Sequence, residues 1–266
     1  MGSRKRVQTV IAALAAISGL AMVLATRTNA IAENAVFAEK LPFALGLILI
    51  VTGVLVLVVG LLPKKQPADV HTLTMAAMFA ALCYVGFAFF QIKIPVGDSS
   101  TSFHLGNVFC VLAALLLGGY WGGMAGAIGM TIGDLTTSYV TSAPKTFLLK
   151  LCIGLIVGFV AHKIFKLSKP HSPKYITGVT ILACACGMIF NIFADPLVGY
   201  FYKMYLLGIP QDIATVLAKW SAVTTSVNAV VAVIAASIFY LALRTPLMKA
   251  GLFVQFHKED AKEENA

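Results

Sequence analysis

The sequence predicts an all-α integral membrane protein, in which a bundle of six helices is preceded by two extra transmembrane helices. The chain of 266 residues is 59% hydrophobic and only 12% charged, and its mean hydropathy is +0.89. Soluble domains carry about 25% charged residues, so this composition excludes an ordinary soluble protein. The net charge of +9 comes from lysines and arginines placed around apolar runs, which removes the argument for nucleic-acid binding.

Eight apolar runs are candidates for membrane spans. A helix needs about 20 apolar residues to cross the hydrocarbon core of a bilayer. The fourth run is short, and the last is long enough to tilt or to extend beyond the lipid. The predicted spans lie near residues 7–26, 42–62, 72–92, 105–120, 122–141, 146–165, 175–199 and 214–243.

The basic residues are distributed unequally between the two sides of these spans. Thirteen of the 20 lysines and arginines fall on one side of the predicted topology. Loops rich in Lys and Arg stay in the cytoplasm, so we expect a multi-pass protein of the cell membrane with both termini cytoplasmic. Residues 1–30 also fit a signal peptide, because a basic start is followed by an apolar run and small residues. That alternative stays open, and it leaves the orientation of the remaining spans unchanged.

A basic linker, PKKQPAD at residues 63–69, separates two unlike parts of the chain. The two spans before it have no ionisable residue in their apolar runs, which is typical of membrane anchors. All intramembrane polar residues lie in the six later spans. We therefore predict two N-terminal helices with the linker in residues 1–70, a functional six-helix domain in 71–245, and a charged cytoplasmic tail in 246–266.

Small residues are arranged at helical spacing in two places. Glycines four residues apart lie on one stripe of a helix and let a neighbouring backbone approach closely. We predict that these glycines serve packing, although some could lie in the turn between two spans. An alanine stripe on the first helix of the functional domain could dock inside the bundle or on another subunit. The glycines are Gly118, Gly119, Gly122, Gly123, Gly126, Gly129 and Gly133, and the alanine stripe is Ala76, Ala77, Ala80 and Ala81.

Ionisable and amide side chains occur at membrane depth, where they are costly and commonly mark a binding site or a pathway. Asn191 and Asp195 are four residues apart and therefore share a helical face. For Asp134 two interpretations remain. It lines a polar cavity, or it has a structural role, either capping a helix or pairing with Lys145 or Lys150.

The last span carries a polar stripe on an otherwise apolar helix. Ser221, Thr224, Thr225 and Asn228 follow one another at three- and four-residue spacing, with Trp220 beside them. A single Ser or Thr can bond to its own helix backbone, but four polar residues in register indicate a common function. We expect this stripe to face the bundle interior and to line a solute site.

A polar segment, GDSSTS, leads towards two further polar residues. His104 and Asn107 lie where the loop 93–103 enters the next predicted span. A polar loop above such side chains is typical of a mobile lid over an outward-facing pocket.

Several kinds of chemistry have no motif in this sequence. It contains no GxxxxGK[ST] loop, which disfavours an ATPase, and no GxSxG or HExxH motif of a membrane hydrolase. The five cysteines lie in apolar segments without metal-ligand spacing. We therefore predict no catalytic residue, no metal site and no cofactor. The absence of two matching interrupted halves also disfavours an inverted-repeat secondary transporter.

Residues 71–245 resemble the substrate-binding (S) component of energy-coupling-factor (ECF) vitamin transporters, in particular the subgroup named for riboflavin uptake. The likeness rests on FHLGNVFCVLAALLLGG, GGMAGAIGMTIGDLTTSYV and APKTFLLKLCIGLIVGFVAH. It implies a bundle that captures a water-soluble vitamin or precursor from outside, namely riboflavin, a B6-type or a pyrimidine-type compound. It also implies docking of the alanine stripe on an ECF coupling transmembrane subunit, which is driven by two ATPase subunits.

The resemblance also implies, by position, where a vitamin would bind. We expect an aromatic wall of Phe103, Tyr139 and Trp220 together with a few converging polar groups, which suits a flat heterocycle. The implied ligand-binding residues are His104, Asn107, Asp134, Tyr139, Lys145, Asn191, Asp195, Trp220, Thr224 and Asn228.

Two alternative functions remain at this point. The chain could be a stand-alone proton-coupled secondary transporter in which Asp134 and Asp195 carry the proton. It could also be a membrane scaffold whose polar residues are structural. The two extra N-terminal spans depart from the six-span pattern of S components.

Overall fold

The structure, a computed structural model, describes residues 69–97 and 99–250. These residues contain the six-helix part of the chain and one β-hairpin. The predicted spans 7–26 and 42–62, and the signal-peptide alternative for residues 1–30, lie outside the described residues. Most of the linker and of the charged tail lies outside them as well.

Six helices and two strands make up the described bundle. The helices are α1 (Val70–Ala88), α2 (Gly106–Leu117), α3 (Gly119–Thr136), α4 (Ala143–Gly158), α5 (Pro173–Phe201) and α6 (Gln211–Lys249). Between α1 and α2 lie strands β1 (Gln91–Val96) and β2 (Ser99–His104). A 3₁₀ turn precedes α4, and π-helical turns extend α4 and α5; these are Val140–Ser142, Phe159–Ile164 and Tyr202–Leu206.

The six later predicted spans each correspond to one of these helices, with shifted ends. The predicted span 105–120 is the short helix α2, whose 12 residues cover only about 18 Å. Eleven of those 12 residues are buried, so α2 is a core helix surrounded by the others. Four helical stretches of the described residues are long and apolar enough to cross a membrane: Val70–Ala88, Val140–Ile164, Pro173–Leu206 and Gln211–Lys249.

Side-chain caps and a glycine turn define several helix ends. The Asp69 carboxylate accepts a hydrogen bond from the backbone N–H of Thr72 at the start of α1. The Ser172 hydroxyl does the same for Tyr175 at the start of α5, so each cap satisfies a donor that the first turn leaves unpaired. Gly118 has φ +85°, a conformation that favours glycine, and it allows α2 to turn directly into α3.

The polar segment between α1 and α2, which was predicted to be a loop, is a β-hairpin. The strands pair antiparallel from Gln91 opposite His104 to Val96 opposite Ser99. Gly97, at φ +60°, begins the connection. The alternating run IKIPV followed by Gly-Asp is a hairpin signal that outweighs the serine-rich composition of the second strand.

The predicted packing role of the glycines is confirmed. A Cβ on Gly129 would collide with the carbonyl of Ala80 on α1, and one on Gly154 of α4 would collide with Gly123 of α3. Helix α3 therefore contacts neighbouring backbones on two sides. The other prediction, that some of these glycines lie in a turn between two spans, holds only for Gly118, which lies between α2 and α3.

The alanine stripe divides between two faces of α1. Ala76 is only 7% exposed, and Ala80 packs against Gly129 inside the bundle. Ala77 and Ala81 are exposed. Residues 76 and 80 lie about 100° around the helix from residues 77 and 81, so Ala77 and Ala81 form the outward-facing half of the stripe.

Large apolar side chains cover the outside of the longest helices. Phe193 on α5 is 71% exposed, and Val230 and Ile238 on α6 are each 58% exposed. Soluble proteins rarely expose such extended apolar faces, whereas lipid accommodates them. The described helices therefore form a multi-pass membrane bundle.

Substituting Gly154 tests the close contact between α3 and α4. We expect Gly154→Ala to lower the stability of the bundle by about 1–3 kcal/mol, because overpacking displaces a neighbouring backbone. Gly178→Ala on α5 is the matched control, since a Cβ there meets nothing within 4 Å. It should be neutral or slightly stabilising, because alanine favours helix by about 1 kcal/mol over glycine. Thermal unfolding in detergent measures both; equal melting temperatures would contradict the packing role.

Candidate functional site

A cavity of about 720 Å³, including the space through which it opens, lies beneath the hairpin. We call this end of the bundle the hairpin end. Strand β2 and all six helices contribute to the cavity walls. The cavity is therefore walled by every helix of the described bundle and by the hairpin.

The polar part of the lining is supplied mainly by three helices. Within each helix most of these residues are three or four positions apart, or a multiple of four, and so share one face. These faces converge on the cavity. The residues are Ser142, Thr146 and Lys150 before and within α4; Asn191, Asp195 and Lys203 along α5 and its π-helical turn; and Ser221, Thr224, Thr225 and Asn228 on α6.

Asp195 joins three helices at the cavity. Its Oδ1 lies 2.8 Å from Nζ of Lys145 on α4. Its Oδ2 accepts hydrogen bonds from Ser221 at 2.8 Å and from Thr225 at 3.2 Å, both on α6. Lys145 therefore pairs with Asp195, and the alternative pairing of Lys145 with Asp134 is corrected.

Asp134 lines the cavity, as one of its two interpretations predicted. The residue is only 2% exposed. Its Oδ2 atom has no hydrogen-bond partner among the described residues.

Three more buried polar atoms of the lining share this property. They are Nδ1 of His104, Oδ1 of Asn107 and Oδ1 of Asn191, none of which has a hydrogen-bond partner in the described part of the chain. A buried polar group without a partner costs about 1–3 kcal/mol, and most buried polar groups in proteins are therefore satisfied. Four such atoms around one cavity indicate a surface that a polar ligand completes.

His104 is uncharged in this environment. Burial lowers the pKa of its imidazole to about 3, and the positive charge of Lys150 acts in the same direction. The ring packs edge-to-face on Phe87 with centroids 4.8 Å apart. A neutral imidazole offers one donor and one acceptor, so His104 is suited to hydrogen bonding with a ligand.

The hairpin is fastened to α6 by side chains of the polar stripe. Asn228 accepts from the backbone N–H of His104 at 3.0 Å and donates to the carbonyl of Ser102 at 3.1 Å. The hydroxyls of Thr101 and Thr224 lie 2.8 Å apart. Thr224 and Asn228 thus line the cavity as predicted, but their hydrogen bonds hold β2 in place.

The predicted aromatic wall is corrected at two of its three positions. Tyr139 lines the cavity, whereas Phe103 and Trp220 do not. Trp220 is 43% exposed, because it lies about 100° around α6 from Ser221. Phe87 of α1 takes their place, with its ring centroid 6.0 Å from that of Tyr139.

Nine of the ten predicted ligand-binding residues surround the cavity; Trp220 is the exception. Ser221 and Thr225 of the predicted polar stripe also line it. The four-residue spacing of Ser142, Thr146 and Lys150 is a signal that the sequence analysis did not use. The lining residues not predicted as site residues are Phe87, Ser100, Thr101, Ser102, Met130, Ser142, Thr146, Lys150, Lys203 and Leu217.

Comparison with known families decides the class of the protein. Residues 67–245 match the family model of the ECF-type riboflavin transporter, S component. The chain belongs to this family. No curated protein and no solved structure matches the chain significantly.

Membership in the S-component family confirms the resemblance drawn from the sequence. S components are transporter subunits and not enzymes. The family implies, in general terms, a vitamin ligand and partners from an ECF module. Family membership and the apolar helices together support a multi-pass membrane protein.

Replacing Asn228 tests how the hairpin of this S component is held. We expect Asn228→Leu to speed amide hydrogen exchange across residues 91–104 by about tenfold or more, because two hydrogen bonds to β2 are lost. Ser226→Ala is the matched control, since Ser226 bonds only to its own helix at the Ala222 carbonyl. Exchange followed by mass spectrometry provides the readout. Unchanged protection in Asn228→Leu would show that other contacts hold the hairpin.

Proposed function

We propose that this chain is the substrate-specificity subunit of an ECF-type ABC importer and binds a water-soluble vitamin or precursor in the cavity at the hairpin end. The candidate ligands are riboflavin, a B6-type compound and a pyrimidine-type compound. The observation that carries the proposal is the set of four buried, unpartnered polar atoms around one cavity.

The four atoms set what the ligand must provide. Asn107 and Asn191 each present an amide oxygen, Asp134 presents a carboxylate oxygen, and His104 presents a ring nitrogen. The oxygens accept hydrogen bonds only, so the ligand supplies N–H or O–H donors to them. Flat heterocycles with amino, imide or hydroxyl groups have such donors along their edges.

The remaining site residues have supporting roles in this proposal. The ring of Tyr139, together with Phe87, forms the aromatic side of the pocket. Lys145 and Asp195 hold α4, α5 and α6 in register through their ion pair. Asn228 positions the hairpin, which covers the ligand.

Orientation in the membrane follows from the charges on the two ends. The loop between α4 and α5 carries Lys166 and Lys169, with Lys163 and Lys174 at its ends, and the positive-inside rule favours the cytoplasm for that loop. The hairpin end then faces outward, where a nutrient arrives. We infer that both termini are cytoplasmic and that the protein lies in the cell membrane.

The stand-alone proton-coupled transporter is not favoured. S components work with an ECF module, which supplies the energy. Asp195, one of the two proposed proton carriers, is already held by Lys145, Ser221 and Thr225, and removing its charge would break that network.

Ligand retention tests the proposed function directly. We expect the full chain, purified in mild detergent and then denatured, to release a small vitamin detectable by mass spectrometry. Asn191→Leu should weaken binding of that vitamin by about tenfold or more, because the N–H or O–H donor of the vitamin then has no acceptor at this position. Thr180→Val is the control, since Thr180 is buried outside the cavity and bonds to its own helix. Absence of any retained ligand, with no submicromolar binding of riboflavin, pyridoxine or pyrimidine precursors, would refute the proposal.

The coupling subunit is proposed to dock on the exposed half of the alanine stripe. Leu73, Ala77, Ala81 and Val85 are four residues apart and all exposed on α1. The two small side chains leave a shallow groove between two larger ones. Such a groove permits close contact with a partner helix.

A large side chain at Ala77, in this groove, should block transport and leave vitamin binding intact. We expect Ala77→Trp to abolish ATP-dependent vitamin uptake in cells that also produce the ECF module, while the purified variant still binds vitamin. Ala242→Trp, at an exposed alanine near the end of α6, is the control and should leave uptake within about twofold, as exposed substitutions usually have small effects. Normal uptake by Ala77→Trp would place the docking surface elsewhere.

A further inference from the structure

The charged groups of the cavity do not balance. Three lysines line it, Lys145, Lys150 and Lys203, against two carboxylates, Asp134 and Asp195. His104 adds no charge, because burial lowers the pKa of its ring to about 3. The lining therefore has one more basic side chain than acidic side chains.

The ion pairing within the cavity is also incomplete. Lys145 and Asp195 form the single ion pair closer than 4.0 Å among the described residues. Asp195 is then fully engaged, because Ser221 and Thr225 bond to its second oxygen. Lys150 is left without an ion-pair partner at contact distance within the described residues.

Lys150 lies at the floor of the cavity. It follows Lys145 by five residues on α4, which places it about 7.5 Å further along the helix axis. The residue is only 6% exposed, and its carbonyl accepts from the buried thiol of Cys110 on α2. A charge so deep in the bundle is costly unless an opposite charge or several hydrogen bonds compensate it.

We propose that the ligand of this cavity is a flat vitamin-type molecule that carries an anionic oxygen group, a carboxylate or a phosphate, which binds to Lys150. This inference rests on the proposed function and adds the charge class of the ligand. The anionic group neutralises the excess charge at the floor, while N–H or O–H donors of the same molecule meet the oxygens of Asn107, Asp134 and Asn191. Lys203, a further lysine of the lining, adds to the attraction of an anion into the cavity.

Matched ligands that differ only in charge test the inference. The probes are riboflavin with riboflavin 5′-phosphate, pyridoxine with pyridoxine 5′-phosphate, and pyridoxal with 4-pyridoxate, titrated calorimetrically into the full chain in detergent. We expect the anionic member of at least one pair to bind about tenfold tighter or more than its neutral partner, which corresponds to about one buried charge contact. The phosphate and carboxylate pairs distinguish the two anionic groups.

Variants of Lys150 then assign the effect to one side chain. Lys150→Met should weaken binding of the anionic ligand by about thirtyfold or more, as expected when one partner of a buried charge pair is removed. The affinity for the neutral partner should change by less than about threefold, because that ligand makes no contact with the lysine charge. Lys150→Arg keeps the charge and should restore most of the preference, which distinguishes a lost contact from a misfolded protein. Lys163→Met, an exposed lysine on the π-helical turn after α4, is the matched control and should behave like the unmodified chain.

The outcomes separate this inference from the proposed function. Tight binding of a neutral vitamin, with no preference for its anionic partner, would overturn the inference and leave the proposed function standing. Equal weakening of both members of a pair by Lys150→Met would also overturn it. Failure of all six probes to bind would overturn the inference, whereas the proposed function, which also allows a pyrimidine-type ligand, is refuted only by the ligand-retention experiment.

Discussion

The Asp195 carboxylate is the interaction on which the cavity depends. One oxygen pairs with Lys145 of α4 at 2.8 Å, and the other accepts from two hydroxyls of α6. Three helices are thereby fixed relative to one another by one side chain within an apolar bundle. In such surroundings an ion pair is stable only when additional hydrogen bonds satisfy the remaining lone pairs. Ser221 and Thr225 provide them.

The polar residues of the cavity separate into two groups by their hydrogen bonds. One group is satisfied within the protein: Asp195 and Lys145 join helices, and Asn228 and Thr224 hold the hairpin. The other group points into the cavity with unpartnered atoms. This division distinguishes residues that build the pocket from residues that are available to a ligand. Sequence position alone does not distinguish the two groups, because the residues of both are polar and lie on the same helical faces.

Small residues make this arrangement geometrically possible. Glycines on α3 and α4 bring the two backbones into direct contact, and the buried helix α2 fills the centre of the bundle. The apolar core can then pack at normal density around a polar cavity at one end. On α1 the same class of residue serves two surfaces: Ala80 packs inward, whereas Ala77 and Ala81 remain exposed.

Much of the bundle could be predicted from the sequence, because hydrophobic length and helical period are local properties. The apolar runs predicted the six described helices, and the polar stripe from Ser221 to Asn228 predicted an interior face of α6. The hairpin was missed because the serine-rich composition of β2 was given more weight than the alternation in β1. The predicted span 105–120 was longer than α2, because an apolar run does not show whether it crosses lipid or is a shorter helix in a protein core.

What the sequence determined by itself was the class of protein, the identity of most polar residues around the cavity, and the packing role of the glycines. Each of these depends on composition or on the spacing of residues within one helix. Only the tertiary structure decided that Lys145 pairs with Asp195, that Asn228 holds β2, and that Trp220 lies outside the cavity. Those facts depend on the rotation of each helix against its neighbours. That rotation is set by close contacts between helices far apart in the chain, such as that of Gly123 with Gly154.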